Sequence, residues 1–431
     1  MSSARAILLL SVSAFCLLFA AQARAEKLSE ESEVRLAIDK AEIANKTGHV
    51  DDALAQLQTV EKKYPNNADL RSEISELYLD AENRGLAFDE ASQSDYALSR
   101  EGLKHQEAAL LSPDGTFISP GYNFRQTNEA YENIYKLKGQ MALNEGLTFS
   151  ANLQNDTITS RVPFARSNGS IQDFQGDRQI GIFQLDQMLV GGHEVGASLY
   201  AQQNKIGVGG QYQFWDPYGS SAVFLDYNKP EADYIEAAVE HGTKSGITLE
   251  RGVVFNQNLK AKIDGKYLQY GIDGAEDAAN AEGWDFLFEY AHPFVDLTSA
   301  IGEDDEHTSK EPFTLGAKYE VGAEYFSYIK PSVDVDGSAF HPLPAASYEV
   351  HTFSATAAQE IIKGLKVEIL GGFGVNRILG NTGPVYEATV SYEVDKNLSA
   401  EFHATRDLLG GQNNGEREDN IGLDIKWAFS E

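Results

Sequence analysis

The chain has 431 residues, with 65 acidic side chains against 35 Lys and Arg and a formal net charge of −30. Such a balance excludes the basic surface that nucleic-acid binding requires. A single cysteine, Cys16, excludes both a disulfide framework and a cysteine-ligated metal.

The N-terminus reads as an export signal over residues 1–25. Arg5 supplies the positive region, residues 6–21 form a short apolar stretch, and Ala23-Arg24-Ala25 fits the small-x-small cleavage rule, so the mature chain is expected to begin at Glu26. Cys16 lies inside this segment. Phe15 stands where a lipoprotein signal needs a small residue, so lipidation is not expected. Beyond the signal no apolar run is long enough for a membrane-spanning helix. Of the 38 glycines, only Gly48, Gly85, Gly102, Gly115 and Gly121 precede residue 130. The chain therefore changes character there, from helix-like to glycine- and aromatic-rich, which predicts two domains.

Residues 26–111 are charged and alanine-rich, and they predict a small all-α domain. Ala37, Ala41 and Ala44, then Ala53, Leu57 and Val60, stand at helical spacing on either side of Gly48, and Pro65-Asn66-Asn67 stops the second helix. Ala41, Gly48, Ala53 and Pro65 fall where the 34-residue tetratricopeptide repeat places its small helix-A residue, turn glycine, helix-B alanine and terminal proline. The segment resembles that repeat. A second, degenerate unit runs from Ala68 to Leu98, with a capping helix after it. Residues 112–131, with Pro113, Gly115, Pro120 and Gly121, read as a linker.

From residue 132 to 429 the pattern switches to period two. In the last segment Ile421, Leu423, Ile425, Trp427 and Phe429 alternate with Gly422, Asp424, Lys426 and Ala428, so one face suits hydrocarbon and the other water. Similar segments recur back to Tyr135, where the last strand is expected to close on the first. At roughly 18 residues per strand and its share of connector, the region predicts an antiparallel transmembrane β-barrel of about 16 strands. The fold class is thus mixed: a helical domain followed by a barrel. Polar stretches at 161–178, 273–283, 303–311, 331–346 and 410–419 are expected to be extracellular loops.

Assigning the apolar face to lipid turns the alternate residues into the lumen. Glu236, Glu240, Asp285, Glu289, Glu320, Glu324, Glu368, Glu387, Glu393, Glu401 and Asp407 are then the expected lumen-lining carboxylates. Lys136 and Lys138 on the first strand, and Lys260, Lys262 and Lys266 on another, also face inward. The pore is expected to be electronegative on balance and to favour cations or a cationic polymer. No HExxH, GxSxG or cysteine nucleophile is present, so catalysis, a metal and a cofactor are not expected.

Periplasmic tetratricopeptide-like helices running into a C-terminal barrel resemble the outer-membrane exopolysaccharide exporters, such as the Pel polysaccharide porin PelB and the poly-N-acetylglucosamine and cellulose exporters. The resemblance is carried by the residues around Ala53 and Pro65, the Tyr122 to Tyr135 entry, the Glu349-Val350-His351 strand start and the hairpin from Gly380 to Tyr386. It implies an outer-membrane location in a Gram-negative cell with the helices in the periplasm. It also implies an exopolysaccharide as the transported partner and periplasmic synthesis or modification proteins bound by the helices. Outer-membrane lipids and the barrel-assembly machinery complete the expected partners. Two other readings fit the same layout: a surface-lipoprotein translocator of the Slam type and a general diffusion porin.

Overall fold

The computed structural model describes residues 30–45, 50–110, 115–144, 146–203, 205–231, 234–256, 258–294, 313–333, 336–343, 345–408 and 417–429. The expected export signal and Gly48 lie outside them. The chain divides into two compact units, one of residues 1–82 and 86–106, the other of residues 83–85 and 107–431.

The first unit is helical. It contains α1 (30–45), α2 (Val50–Glu61), α3 (Ala68–Asp80), most of α4 (Arg84–Ala91), α5 (Ser94–Ala97) and the start of α6 (Arg100–Leu110). Val34, Ala37 and Ala41 on α1, Val50, Ala53 and Leu57 on α2, and Leu70, Ile74 and Leu77 on α3 are all buried. Each set repeats every three or four residues, as a helix burying one stripe must. Ala41 and Ala53 are fully buried, and Pro65 stands in the turn that separates α2 from α3. Asn67 caps α3, its side chain accepting from the Leu70 amide at 3.1 Å. Arg71 on α3 joins Glu61 at 3.1 Å and Glu90 at 2.7 Å. One cation thus serves two carboxylates. Burial, reinforced by the Glu61 charge, pushes the Glu90 carboxyl up to about 7.

The second unit is a closed antiparallel barrel of sixteen strands. In chain order these are β1 (Phe117–Gln126), β2 (Ala130–Asn144), β3 (Leu147–Ser160), β6 (Gln175–Leu189), β7 (His193–Gln202), β8 (Lys205–Asp216), β9 (Gly219–Pro230) and β10 (Thr243–Asn256). They continue as β11 (Leu259–Ile272), β12 (Ala275–Phe294), β13 (Phe313–Ile329), β16 (Tyr348–Ile362), β17 (Leu365–Asn376), β18 (Thr382–Asp395), β19 (Leu398–Leu408) and β20 (Arg417–Ala428). Two small hairpins, β4 (Phe164–Ala165) with β5 (Ile171–Gln172) and β14 (Ser332–Val333) with β15 (Ala339–Phe340), lie in connectors.

Closure differs from the sequence expectation in one respect. β20 pairs with 117–126, with Tyr122 opposite Leu423, so the stretch expected as a linker is the first barrel strand. Pro120 and Gly121 disguise it as a turn. Both residues instead have structural reasons to be there: the β1–β20 register skips Ser119 and Pro120, and a Cβ on Gly121 would collide with the Asp424 carboxylate.

All sixteen strands expose large apolar side chains on alternate positions, among them Leu137, Leu153, Leu199, Leu249, Ile263, Ile369, Phe402 and Leu423. Trp427, 58% exposed, stacks on Phe429 at 6.2 Å. Tyr290, Phe294 and Tyr392 accompany them near the end that holds both barrel termini, while Tyr227, Tyr267, Tyr325 and Tyr386 stand toward the other end. An apolar band between two aromatic belts is the exterior of a membrane-spanning barrel.

The two ends differ in connector length. At the end with the termini, six connectors are turns of two or three residues, from β2–β3 to β18–β19. Residues 303–311 and 410–416, expected in extracellular loops, lie outside the described residues. The long connectors, β3–β6, β9–β10 and β13–β16, leave the opposite end. Residues 275–283 are not a loop. Ala275, Ala278, Ala279 and Ala281 of β12 are buried on the inside, and only Asp273 and Gly274 form the turn. Small side chains there carry no lipid-facing signal, so the sequence pattern reads as irregular.

Candidate functional site

The β9–β10 connector does not stay outside. It folds into α7 (Ile235–Val239) and lies within the barrel, with Tyr234, Ala237, Ala238, Val239 and Glu240 all buried. Tyr234 and Ala237 pack in one cluster with Leu268 and Tyr270 of β11, the inner alanines of β12, and Leu343 and Ala345 of the β13–β16 connector. Ala238 and Val239 pack in another with Ala130 of β2, Ile158 of β3 and the half-buried Phe174. Around the barrel the strands of these two seats, β2 and β3 against β11 and β12, are separated by five strands in one direction and seven in the other. A segment that touches both therefore crosses the lumen. Glu236 and Glu240, read from the sequence as strand residues facing inward, stand on this helix and in the turn after it. The run Ala237-Ala238-Val239 resembles a short strand; only the surrounding walls turn it into a buried helix.

Polar ties hold the crossing segment. At its root Glu231, fully buried, lies 2.9 Å from Lys244 Nζ, and its amide donates to the Gly242 carbonyl at 2.9 Å. Buried Arg178 donates to the Glu231 carbonyl and to Gln202 Oε1. Beyond the helix, Glu240 pairs with Arg166, and His241 Nδ1 stands 2.7 Å from Asp273. Burial pushes the Asp273 carboxyl up, but hydrogen bonds from His241 and Lys205 prevail and hold it below the ordinary value. Toward β11 and β13 the Tyr234 hydroxyl donates to Glu324 at 3.2 Å, beside Tyr270, which donates to the same carboxylate at 3.0 Å. The Tyr234 and Tyr270 rings meet edge to face at 5.7 Å.

Beside Tyr234 the lumen holds a cavity of about 580 Å³. Arg125, Lys229, Lys244 and Lys266 face Asp226, Asp264, Asp285, Glu324 and Glu418 around it. Lys266 lies 2.9 Å from Asp285 and 3.7 Å from Glu324; Arg125 lies 2.8 Å from Glu418 and 3.2 Å from Glu132. Charge in this part of the lumen is nearly balanced.

The other expected carboxylates divide into two walls. Asp285 and Glu289 on β12, with Glu320 and Glu324 on β13, occupy the face opposite exposed Phe288, Tyr290, Leu315 and Tyr325. Bases stand among them: Glu289 is opposite Lys260 and Lys318, Glu320 lies 2.9 Å from Lys318, and Glu250 lies 2.7 Å from Lys262. Glu368 on β17, Glu387 and Glu393 on β18, and Glu401 and Asp407 on β19 occupy the face opposite Ile369, Tyr386, Tyr392 and Phe402. On that wall Glu401 is directly opposite Asp424 and Asp407 opposite Glu418, while Glu368, Glu387 and Glu393 face Thr389, Thr405 and Ser399. The acid excess is therefore a property of one wall and not of the whole lumen.

Several site residues escape a reading of the sequence. Arg125 sits in the apparent linker, and Glu231, Tyr234 and Lys244 act through a connector. Asp264 is absent from the expected carboxylates, although its alternation with Lys262 and Lys266 places it on their inward face. Tyr270 gave no signal, because its ring points into the lumen where an aromatic is not expected in a membrane strand.

No family model and no curated protein sequence matches the chain. Among solved structures, it is similar to a bacterial polysaccharide outer membrane secretin, with a TM-score of 0.47 and 8% identity over 74% of this chain and all of that one. It is also similar to OccK7 (OpdD) of Pseudomonas aeruginosa, with a TM-score of 0.36 and 12% identity over 73% and 98% of the two chains. OmpF of Salmonella typhi, in complex with daunomycin, gives a TM-score of 0.36 and 11% identity over 74% and 99%. The functional reading rests on the geometry described above.

Proposed function

We propose that this protein is an outer-membrane channel of a Gram-negative cell that exports an amine-bearing exopolysaccharide along the acidic wall of its lumen. The observation that carries the reading is the run of inward carboxylates on β17–β20, from Glu368 to Asp424, which outnumber the bases Lys366 and Lys426 on the same face and whose partners between β17 and β20 include two facing acid pairs, although Glu418 also pairs with Arg125. Spaced along one wall, such groups offer a hydrated cationic chain many weak, interchangeable contacts, and none is tight enough to stall it. The helical unit would hold periplasmic synthesis or modification proteins. The exposure of Leu36 and Ile43 on α1 supports a docking role. The tetratricopeptide resemblance points the same way.

A diffusion channel for small solutes is the second reading. It is favoured by the segment across the lumen, which leaves a cavity of about 580 Å³, of a size that suits a small molecule. A deletion strain separates the readings. Loss of surface polysaccharide with unchanged uptake of small solutes supports export, while normal polysaccharide export sinks it. A lipoprotein lost from the surface instead would assign the protein to the translocator class.

A further inference from the structure

The crossing segment is built like a cantilever. Its two roots lie on neighbouring strands of one wall, where Pro230 pairs with Thr243 and Glu231 bonds to Gly242. The β9–β10 ladder runs up to those roots with one irregularity between Lys244 and Gly246, so release of the segment leaves that pairing in place and breaks instead the ties of Glu240 and His241 to Arg166, Lys205 and Asp273. The root is also its firmest part. Glu231, Arg178 and Gln202 are almost fully buried and bonded together, and a Cβ on Gly242 would stand 2.5 Å from Ala237 Cβ.

Beyond the root, and apart from the Glu240–Arg166 ion pair, the seats are slighter. Toward β2 and β3 the helix offers Ala238 and Val239. Toward β11 and β13 it offers Ala237 and a single aromatic, Tyr234, whose ring lies against Tyr270 and Phe326 and whose hydroxyl reaches Glu324. Small side chains bury little apolar area, so most of the hold on that wall comes from Tyr234.

We infer that residues 234–242 form a gate hinged at the Glu231–Gly242 root, latched on the adjoining β11–β13 side by Tyr234 against Glu324 and Tyr270, with its tip seated against β2 and β3. Release of the latch swings the segment out of the lumen and opens a continuous path. The inference is independent of the cargo, because it concerns ion flow through the pore as much as passage of a polymer.

Planar-bilayer recordings of the full-length protein in potassium chloride test it, so the outcome does not depend on which polymer is exported. Tyr234→Ala is expected to raise the time spent in a high-conductance state several-fold, and Tyr234→Phe, which keeps the ring, by less. A cysteine pair, A130C with A238C, should hold the segment in place once bridged by a short thiol cross-linker and suppress openings below the wild-type level; the described residues contain no native cysteine. Heat-modified migration on gels confirms that each variant still forms a barrel. If intact barrels of Tyr234→Ala conduct as wild type, and cross-linking leaves conductance unchanged, the segment is a fixed constriction and the gate is wrong.

Discussion

The two sides of the lumen carry carboxylates in similar number but treat them differently. On β10–β13 nearly every inward acid has a base at hand, as with Lys266 between Asp285 and Glu324, or Lys318 beside Glu320. On β17–β20 bases are fewer, with Lys366 and Lys426 on the inward face and Arg125 reaching Glu418, and Glu401 and Asp407 look across the ladder at acids. Like charges directly opposite one another in a sheet are destabilising, by a few tenths to about 1 kcal/mol per pair. The first wall uses charge to hold strands, and the second sets up a field in the pore at some expense in stability.

Removing a base from the paired wall is the strongest way to break this contrast. Lys266→Met leaves Asp264, Asp285 and Glu324 without their shared cation, and the loss should approach the ~3–5 kcal/mol typical of an uncompensated buried charge. Thermal unfolding of the purified barrel in detergent reads it. Equal stability of variant and wild type would mean that water, not Lys266, neutralises those carboxylates.

The rule can be carried outside the barrel to Glu90, where one arginine serves two acids. Its carboxyl lies at about 7 against an ordinary 4.5, so the folded helices favour its neutral form. The stability that this gives is fully present below about pH 4.5 and is lost as pH rises through about 7, amounting to roughly 1–3 kcal/mol. Amide exchange across α3 and α4 in the full chain should quicken over that window. Glu90→Gln should flatten the profile; if it leaves the slope unchanged, another group is responsible.

On the acidic wall the expected sign reverses. Glu401→Gln or Asp407→Asn relieves a facing pair and should stabilise the barrel by a few tenths to about 1 kcal/mol. The same changes, combined, should lower the ratio of cation to anion permeability several-fold in reversal-potential measurements. Neutralising Glu289 and Glu320 on the other wall should shift that ratio less. Equal effects from both walls would erase the distinction.

Much of this was legible one strand at a time. Alternation in 421–429 and in its counterparts says which side of each strand meets lipid, and so which carboxylates share an inward face, because the side-chain direction in a strand has period two. Chain length divided by the span of a membrane strand is enough to expect sixteen. The failures share one cause. Phe117–Gln126 hides behind Pro120 and Gly121, and 275–281 and 237–239 hide behind small residues, since in each place an inside neighbour, and not lipid, dictates the side chain.

The amino-acid sequence by itself determined the barrel, its lipid face and its excess of acid, all of which follow from local periodicity and composition. Only the tertiary structure decided which acids meet bases, where the barrel closes and which connector enters the lumen. Those depend on register between strands and on packing between walls that are far apart in the chain, and no local pattern encodes the partner.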